Sequence, residues 1–301
     1  MKILSEVALE DKYDYCFIGS GVILNRLLLE APFIGSRCLI ISDQYNEASI
    51  VHKVNSFTLL SRHMAINSSG EFDVGILIIL AKTHLWTQPA EFEALIQKMR
   101  TRVRDKVIHL SSGSVYGEAS DSVDERFPVK PLTTYGTRKV AEEKCVVDSF
   151  RGEATVQILR VSNVFGDSRF HDFTNQCIKA AMDKSPVKVY SNGGVVRDFL
   201  FVSCLVDALL HLIIRNIKKE HLVLNLSTGF GTSIAQVMSY ISEETGLTIR
   251  KIDYPRPNEL VKHSILDNSA ILATIPWQPI KLEVGLKRYL REVFPDLTSD
   301  K

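Results

Sequence analysis

The sequence predicts an α/β protein built on a doubly wound parallel sheet, with a smaller C-terminal lobe. Three observations carry that expectation. Apolar-rich runs of strand length alternate with stretches of helical periodicity; a glycine pair follows the first of those runs directly; and a serine-rich run closes another, ahead of a helix with the spacing Tyr-x-x-x-Lys. Strands that alternate with helices bury both faces of a sheet when the crossovers cover both sides, and such crossovers make the strands parallel.

The elements follow in chain order. The runs Tyr15–Ile18, Cys38–Ile41, Ile76–Leu80, Val107–Leu110 and Val156–Leu159 read as buried strands, each bounded by charge, glycine or serine. Between them, residues 22–30, 91–104 and 135–150 carry apolar residues three and four apart, the signature of amphipathic helices. Beyond about residue 165 the pattern loosens into DSRFHDF, SNGGVVRDF, STGFGTS and YPRPNEL, with helical stretches at 174–183 and 233–244. The expected division is therefore 1–165 and 166–301, with the chain free to cross between the two lobes.

Composition narrows the function classes. Of 301 residues, 45% are hydrophobic and 24% charged, and 36 basic against 35 acidic side chains leave a net charge of +1. No basic stripe exists to neutralise a polyanion, so nucleic acid is not an expected partner. The cysteines Cys16, Cys38, Cys145, Cys177 and Cys204 are odd in number and form no C-x-x-C pair, and the eight histidines show no ligand spacing. Buried thiols in a reducing compartment are expected, with no disulfide framework and no metal site. No segment reaches the roughly 18 apolar residues of a membrane span, so neither a membrane partner nor a location outside the cytoplasm is expected.

In DYCFIGSGVILNRLL, Gly19 and Gly21 come directly after a strand and before a helix. Glycines there let the backbone turn tightly and approach a pyrophosphate. Asp43 ends the next strand, about 20 residues on, where a carboxylate accepts hydrogen bonds from an adenosine ribose and repels a 2′-phosphate. This arrangement favours NAD over NADP, and Arg37, at the far end of that strand, is badly placed to reverse the preference. The third glycine of the usual G-x-G-x-x-G pattern is Leu24, so the helix must be displaced or meet a small neighbour. A strand-helix turn that happens to use glycine remains an open alternative for this stretch.

A phenol is a poor base at neutral pH because its ordinary pKa is about 10. Tyr135 and Lys139 lie four apart on a helix, hence on one face, and an ammonium there stabilises a phenolate. The preceding strand ends in the serine run, and the carboxyl ends of parallel strands line the ligand crevice, so Ser112 is expected to face the same cleft. A hydroxyl that polarises a substrate oxygen and a phenol that exchanges a proton with it make an acid/base site.

On the segments SSGSVYGE, YGTRK, ILRVSNVFG, VRDFLFV, LNLSTG and IPWQPIKLEVGLKRYL, the chain resembles the extended short-chain dehydrogenase/reductase family, within its nucleoside-diphosphate-sugar epimerase/dehydratase group. The resemblance implies a Rossmann cofactor domain and a substrate-binding C-terminal lobe. It makes Ser112, Tyr135 and Lys139 the catalytic triad, with Tyr135 and Lys139 also at the cofactor. It places Ala81 where a strand passes the cofactor, Asn163 beside the sugar, and Arg197 and Arg256 on the substrate diphosphate. Two departures matter. The Asp-Glu pair of the 4,6-dehydratases is Gly113-Ser114 here, which removes the evident catalyst for dehydration. In VSCLVD, relatives usually carry acidic residues near the helix start.

The leading functional expectation is an NAD-dependent nucleoside-diphosphate-sugar epimerase that oxidises the sugar, at C4, and reduces it again on the other face. A nucleotide-sugar 4-keto reductase using NAD(P)H is the alternative, and a non-catalytic dinucleotide-binding regulator a third. The resemblance also implies a homodimer through the Tyr135 helix, with Val140, Ala141, Val146 and Val147 as candidate contacts.

Overall fold

The structure is a computed structural model, and it describes residues 2–3, 10–29, 33, 36–43, 56–67, 71–80, 89–216, 221–258 and 260–295. Two compact units divide the chain: one of Met1–Ser111, Thr137–Leu159 and Leu209–Leu224, the other of Ser112–Gly136, Arg160–Ala208 and Asn225–Lys301.

The first unit is built on an eight-stranded sheet. Its strands are β1 (Lys2–Ile3), β2 (Glu10–Ile18), β3 (Arg37–Ile41), β4 (Ser56–Leu60), β5 (Glu71–Ile79), β6 (Val103–Ser112), β7 (Thr155–Val161) and, from late in the chain, β11 (His221–Leu226). Their spatial order is β1-β4-β3-β2-β5-β6-β7-β11. The pairings from β1 through β6 are parallel. From β2 the chain runs outward through β3 to β4, then returns to the other side of β2 with β5. The strand order therefore reverses between β2 and β5, and the carboxyl ends of those strands open onto the crevice where doubly wound sheets take ligands.

Side chains that alternate along each strand feed two cores. Cys16, Ile18, Leu39, Ile41, Leu77 and Ile79 join one buried cluster. Helix α2 (Arg62–Asn67) adds Ala65, α3 (Pro89–Met99) adds Phe92, Leu95, Ile96 and Met99, and α4 (Thr134–Phe150) adds Val146 and Phe150. Phe17 stacks edge-on against Phe33 at 5.6 Å, while α1 (Val22–Leu27) contributes Leu24 and Leu27, both buried. Lys106, on β6, donates to the carbonyls of Leu212 (2.6 Å), Ile213 (3.1 Å) and Arg215 (2.8 Å), closing the C-terminal end of α6 (Val202–Ile214).

Three expectations from the sequence need correction. The helix expected over 91–104 ends at Met99; a 3-10 turn, Arg100–Arg102, follows, and Val103 already belongs to β6 because its side chain enters the sheet core. The helix expected over 22–30 ends at Leu27. Val146 is fully buried against the sheet and is therefore no subunit contact.

The second unit holds β8 (Asn163–Phe165), β10 (Val196–Phe201), β12 (Gly231–Ser233) and β14 (His263–Ser264) in one small sheet, and β9 (Pro186–Tyr190) paired in parallel with β13 (Arg250–Tyr254). Its helices are α5 (Phe173–Met182), α7 (Ile234–Thr245), α8 (Ser269–Thr274) and α9 (Leu282–Val293). Ser233 and Gln236 form a reciprocal capping box on α7, which satisfies two otherwise orphaned groups at its start. On α9, Leu282, Leu286, Tyr289 and Leu290 make the apolar stripe, and Phe165, Phe199 and Phe201 stack behind β8 and β10.

Candidate active site

At the end of β2, Gly19 has φ 104° and Gly21 φ 126°, backbone that side-chain-bearing residues rarely adopt. A Cβ at Gly21 would meet nothing within 4 Å, so the turn is an open cradle in which a ligand can lie against main chain. Gly19 N–H donates to Ile41 O at 2.9 Å, and Ser20 and Ser42 hydroxyls lie 2.8 Å apart, tying the turn to the end of β3. Leu24 is accommodated as a core side chain, 1% exposed.

Asp43 follows β3 as expected, but it has a protein partner. The Arg62 backbone N–H donates to its Oδ1 at 2.7 Å, and the Arg62 Nε donates to its Oδ2. Arg62 opens α2 and also lies 3.8 Å from Glu91. A carboxylate has about four acceptor positions, so Asp43 keeps capacity for a ribose hydroxyl, with its charge already answered. Ala81 lies outside the described residues.

Ser112 closes β6, and its Oγ accepts the Ser114 N–H at 3.2 Å, shaping the 3-10 turn Gly113–Val115. Tyr116 then anchors the segment, donating to Asn225 Oδ1 at 2.7 Å. The start of α4 is pressed onto this turn. A Cβ at Gly136 would fall 2.6 Å from Ser114 O and 2.9 Å from Pro131 Cβ, so the residue after Tyr135 has to be glycine for that approach. The geometry thus brings the Ser112 turn and the Tyr135 turn together. Tyr135 is 44% exposed and Lys139, one helical turn on, 2% exposed. The Lys139 ammonium donates to Leu110 O at 3.0 Å and Glu142 Oε2 at 2.8 Å, while Glu143 accepts from the Ser111 hydroxyl.

In the second unit, Asn163 and Arg197 line one cavity of about 540 Å³, along with His171, Gln176, Lys188 and Tyr190. Asn163 Nδ2 donates to Asp198 O at 3.0 Å. The Arg197 guanidinium donates to the carbonyls of Val196 (2.7 Å), Val261 (2.6 Å) and Lys262 (3.3 Å), and burial pushes its pKa down to about 10. Arg256 is not brought into that lining; it donates to Leu260 O and lies 3.5 Å from Glu118. Asp198 accepts from Thr228 N–H (3.0 Å), Thr228 Oγ1 (2.8 Å) and Gly229 N–H (2.9 Å), and burial raises its pKa to about 6. Reasoning from sequence passed over Lys188 and Tyr190. The available signal was their spacing of two on β9, which puts both on one face of a strand.

Among the described residues no group of three or more His, Cys, Asp or Glu could hold a metal ion, and no helix is long and apolar enough to cross a membrane.

The NAD dependent epimerase/dehydratase family model matches residues 90–226. A Methanocaldococcus jannaschii protein assigned as a UDP-glucose 4-epimerase is 32% identical over 203 residues, which cover 64% of this chain and 65% of that protein. The chain spans about half to two thirds of the length of the curated relatives it matches. Among solved structures, the UDP-glucose 4-epimerase of Thermotoga maritima, with UDP-glucose, superposes with a TM-score of 0.77 at 22% identity, covering 93% of this chain and 99% of that one. That of Thermus thermophilus, in complex with NAD, gives 0.77 at 18% identity, covering 93% and 99%. With the Ser112 and Tyr135 turns in contact and a positive-φ glycine cradle at the sheet's reversal, these matches make the chain similar to the NAD dependent epimerase/dehydratase family over residues 90–226 and alike in fold to the two epimerase structures.

Proposed function

We propose that the protein is an NAD-dependent nucleoside-diphosphate-sugar epimerase, acting at C4 of the sugar. The observation that supports this reading is the close approach of Gly136 to Ser114 O, which brings the turn that carries Ser112 against the turn that carries Tyr135, with Lys139 one helical turn further along α4. The open cradle at Gly21 fits a dinucleotide pyrophosphate, and Asp43 fits its adenosine ribose. When bound, NAD supplies an acceptor for hydride and then returns it. Tyr135 takes the proton of the sugar hydroxyl during oxidation and gives one back during reduction on the opposite face. The Ser112 hydroxyl would donate to the same sugar oxygen, and Lys139, one helical turn along α4, would hold the nicotinamide ribose beside the phenol. Asn163 would face the sugar and Arg197 its diphosphate, while Arg256, outside that cavity's lining, would reach the phosphates only by leaving Glu118. Because Gly113 and Ser114 offer no carboxylate, no water is eliminated.

A 4-keto reductase is the second reading, and one observation favours it. The Asp43 charge that should repel a 2′-phosphate is paired with Arg62.

Two further proposals accompany the first. The protein is a homodimer joined through α3 and α4, where Pro89, Glu93, Arg138, Ala141 and Cys145 border a shallow surface depression. It works in the cytoplasm, a compartment that the five unpaired cysteines suit.

Tyr135→Phe tests the chemistry. Turnover of UDP- and dTDP-hexoses should fall about 10²- to 10⁴-fold with the melting temperature unchanged; unchanged turnover removes the catalytic assignment. Mass spectrometry of the denatured protein separates the two readings. Near-stoichiometric NAD supports a cofactor recycled in place, whereas an empty protein that prefers NADPH supports the reductase.

A further inference from the structure

One turn along α4 from Tyr135 lies a buried charged cluster of which the proposed mechanism uses Lys139 alone. Lys139 is 2% exposed, Glu142 6% and His109 0%. The Lys139 ammonium and the Glu142 carboxylate meet at 2.8 Å, and His109 Nε2 stands 3.6 Å from the same carboxylate oxygen. Neither ring nitrogen of His109 has a hydrogen-bond partner among the described residues. Burial first, and then the Lys139 charge, push its pKa well below the ordinary value, so the imidazole is neutral.

The remaining groups around this cluster are accounted for. Glu143, next on α4, accepts from Ser111 of β6. On the α3 side, the Phe92 ring lies 6.1 Å from the imidazole, and Glu93, Arg138 and Cys145 border the depression that Glu142 also reaches. With a neutral imidazole beside it, Glu142 is the carboxylate that meets the Lys139 ammonium. A buried ammonium stripped of its counter-charge is strongly disfavoured and reverts to the neutral amine.

From this we infer that Glu142 is a positioning residue: it keeps Lys139 charged and holds its ammonium against the Leu110 carbonyl at the end of β6. The inference rests on the role proposed above for Lys139. It explains how a lysine almost closed off from water can serve as a permanent positive charge beside a catalytic phenol.

The test is Glu142→Gln, which keeps the shape and removes the charge, with Glu142→Asp as the conservative partner. Two readouts are taken: the pH profile of kcat for nucleotide-sugar turnover, and the titration of Lys139 followed by NMR in protein carrying ¹³Cε-lysine, with Lys139→Met to assign the resonance. In Glu142→Gln, kcat at pH 7 should fall about tenfold with KM for the sugar unchanged. The alkaline loss of activity and the lysine titration should both begin at least about one pH unit lower. Glu142→Asp should recover part of each. A purely structural role would lower the melting temperature and leave both pH midpoints in place, and that result overturns the inference. The lysine titration is independent of turnover. A shifted titration in a protein whose activity ignores Tyr135→Phe therefore upholds the counter-charge and sinks only the catalytic reading.

Discussion

Replacing His109 with phenylalanine should stabilise the protein, and more so in acid. The imidazole is fully buried in β6 with both nitrogens unpartnered among the described residues, and each such atom costs about 1–3 kcal/mol. Phenylalanine keeps an aromatic ring against Phe92 and removes both polar atoms, at the expense of a slightly larger side chain. A net gain of about 1–2 kcal/mol at neutral pH is expected, equivalent to a rise of a few degrees in Tm.

The pH dependence has a definite sign. Burial holds the folded His109 well below its ordinary value of 6.5. Below pH 6.5, therefore, the unfolded chain binds a proton that the folded chain refuses, and wild-type stability falls toward acid by up to about 1.4 kcal/mol per pH unit. The variant lacks this loss. Asp198 acts in the opposite direction: its folded pKa is raised to about 6, so between about pH 4 and 6 the folded state binds the extra proton and stability falls as pH rises. Because Asp198 is present in both proteins, it cancels in the difference. Urea denaturation of both at pH 7.5, 6.5 and 5.5 is the assay, and the gap should widen by about 1 kcal/mol between pH 6.5 and 5.5. A gap independent of pH, or a less stable variant at neutral pH, would refute the picture of a neutral, unpartnered imidazole.

Three other outcomes are expected. Gly136→Ala puts a Cβ within 2.6 Å of Ser114 O, forcing α4 away from the Ser112 turn; kcat should drop about 10²-fold, read in the same turnover assay. Arg62→Ala frees the Asp43 carboxylate, and fluorescence titration should show the ratio of NADP to NAD dissociation constants rising about tenfold. Lys106→Met strips a donor from three carbonyls at the end of α6 and should cost about 2–3 kcal/mol in urea denaturation. Since burial lowers the Lys106 pKa to about 8, wild-type stability rises between pH 8 and about 10.5, where only the unfolded chain keeps the proton, and the gap to the variant should widen there.

Much of the fold was legible because its signals are local. The apolar runs around Phe17, Ile40, Ile78, Ile108 and Ile158 are strands in the structure, and the Gly19–Gly21 turn has the positive φ that its glycines implied. Ends of elements were less legible, as at Met99, where the same apolar residues suit a helix or the strand that follows it. Asp43 was correctly placed after β3, but its partner Arg62 arrives from the next strand's end, 19 residues away, and no periodicity announces such a pair. Val146 was a candidate contact for a partner subunit, and packing assigned it to the buried core.

By itself, then, the sequence determined the alternation of strands and helices, the glycine turn, and the phenol and ammonium on one face of a helix. Each follows from backbone stereochemistry and residue spacing within a single element. Tertiary structure decided which charges meet. Of the adjacent carboxylates on α4, Glu142 meets Lys139 one turn away on the same helix, whereas Glu143 reaches Ser111 because the rotation of the helix against β6 sets where it points. Asn163 and Arg197 share a cavity from which Arg256 is left out for the same reason: contacts between elements depend on register and rotation, which one strand or helix does not encode alone.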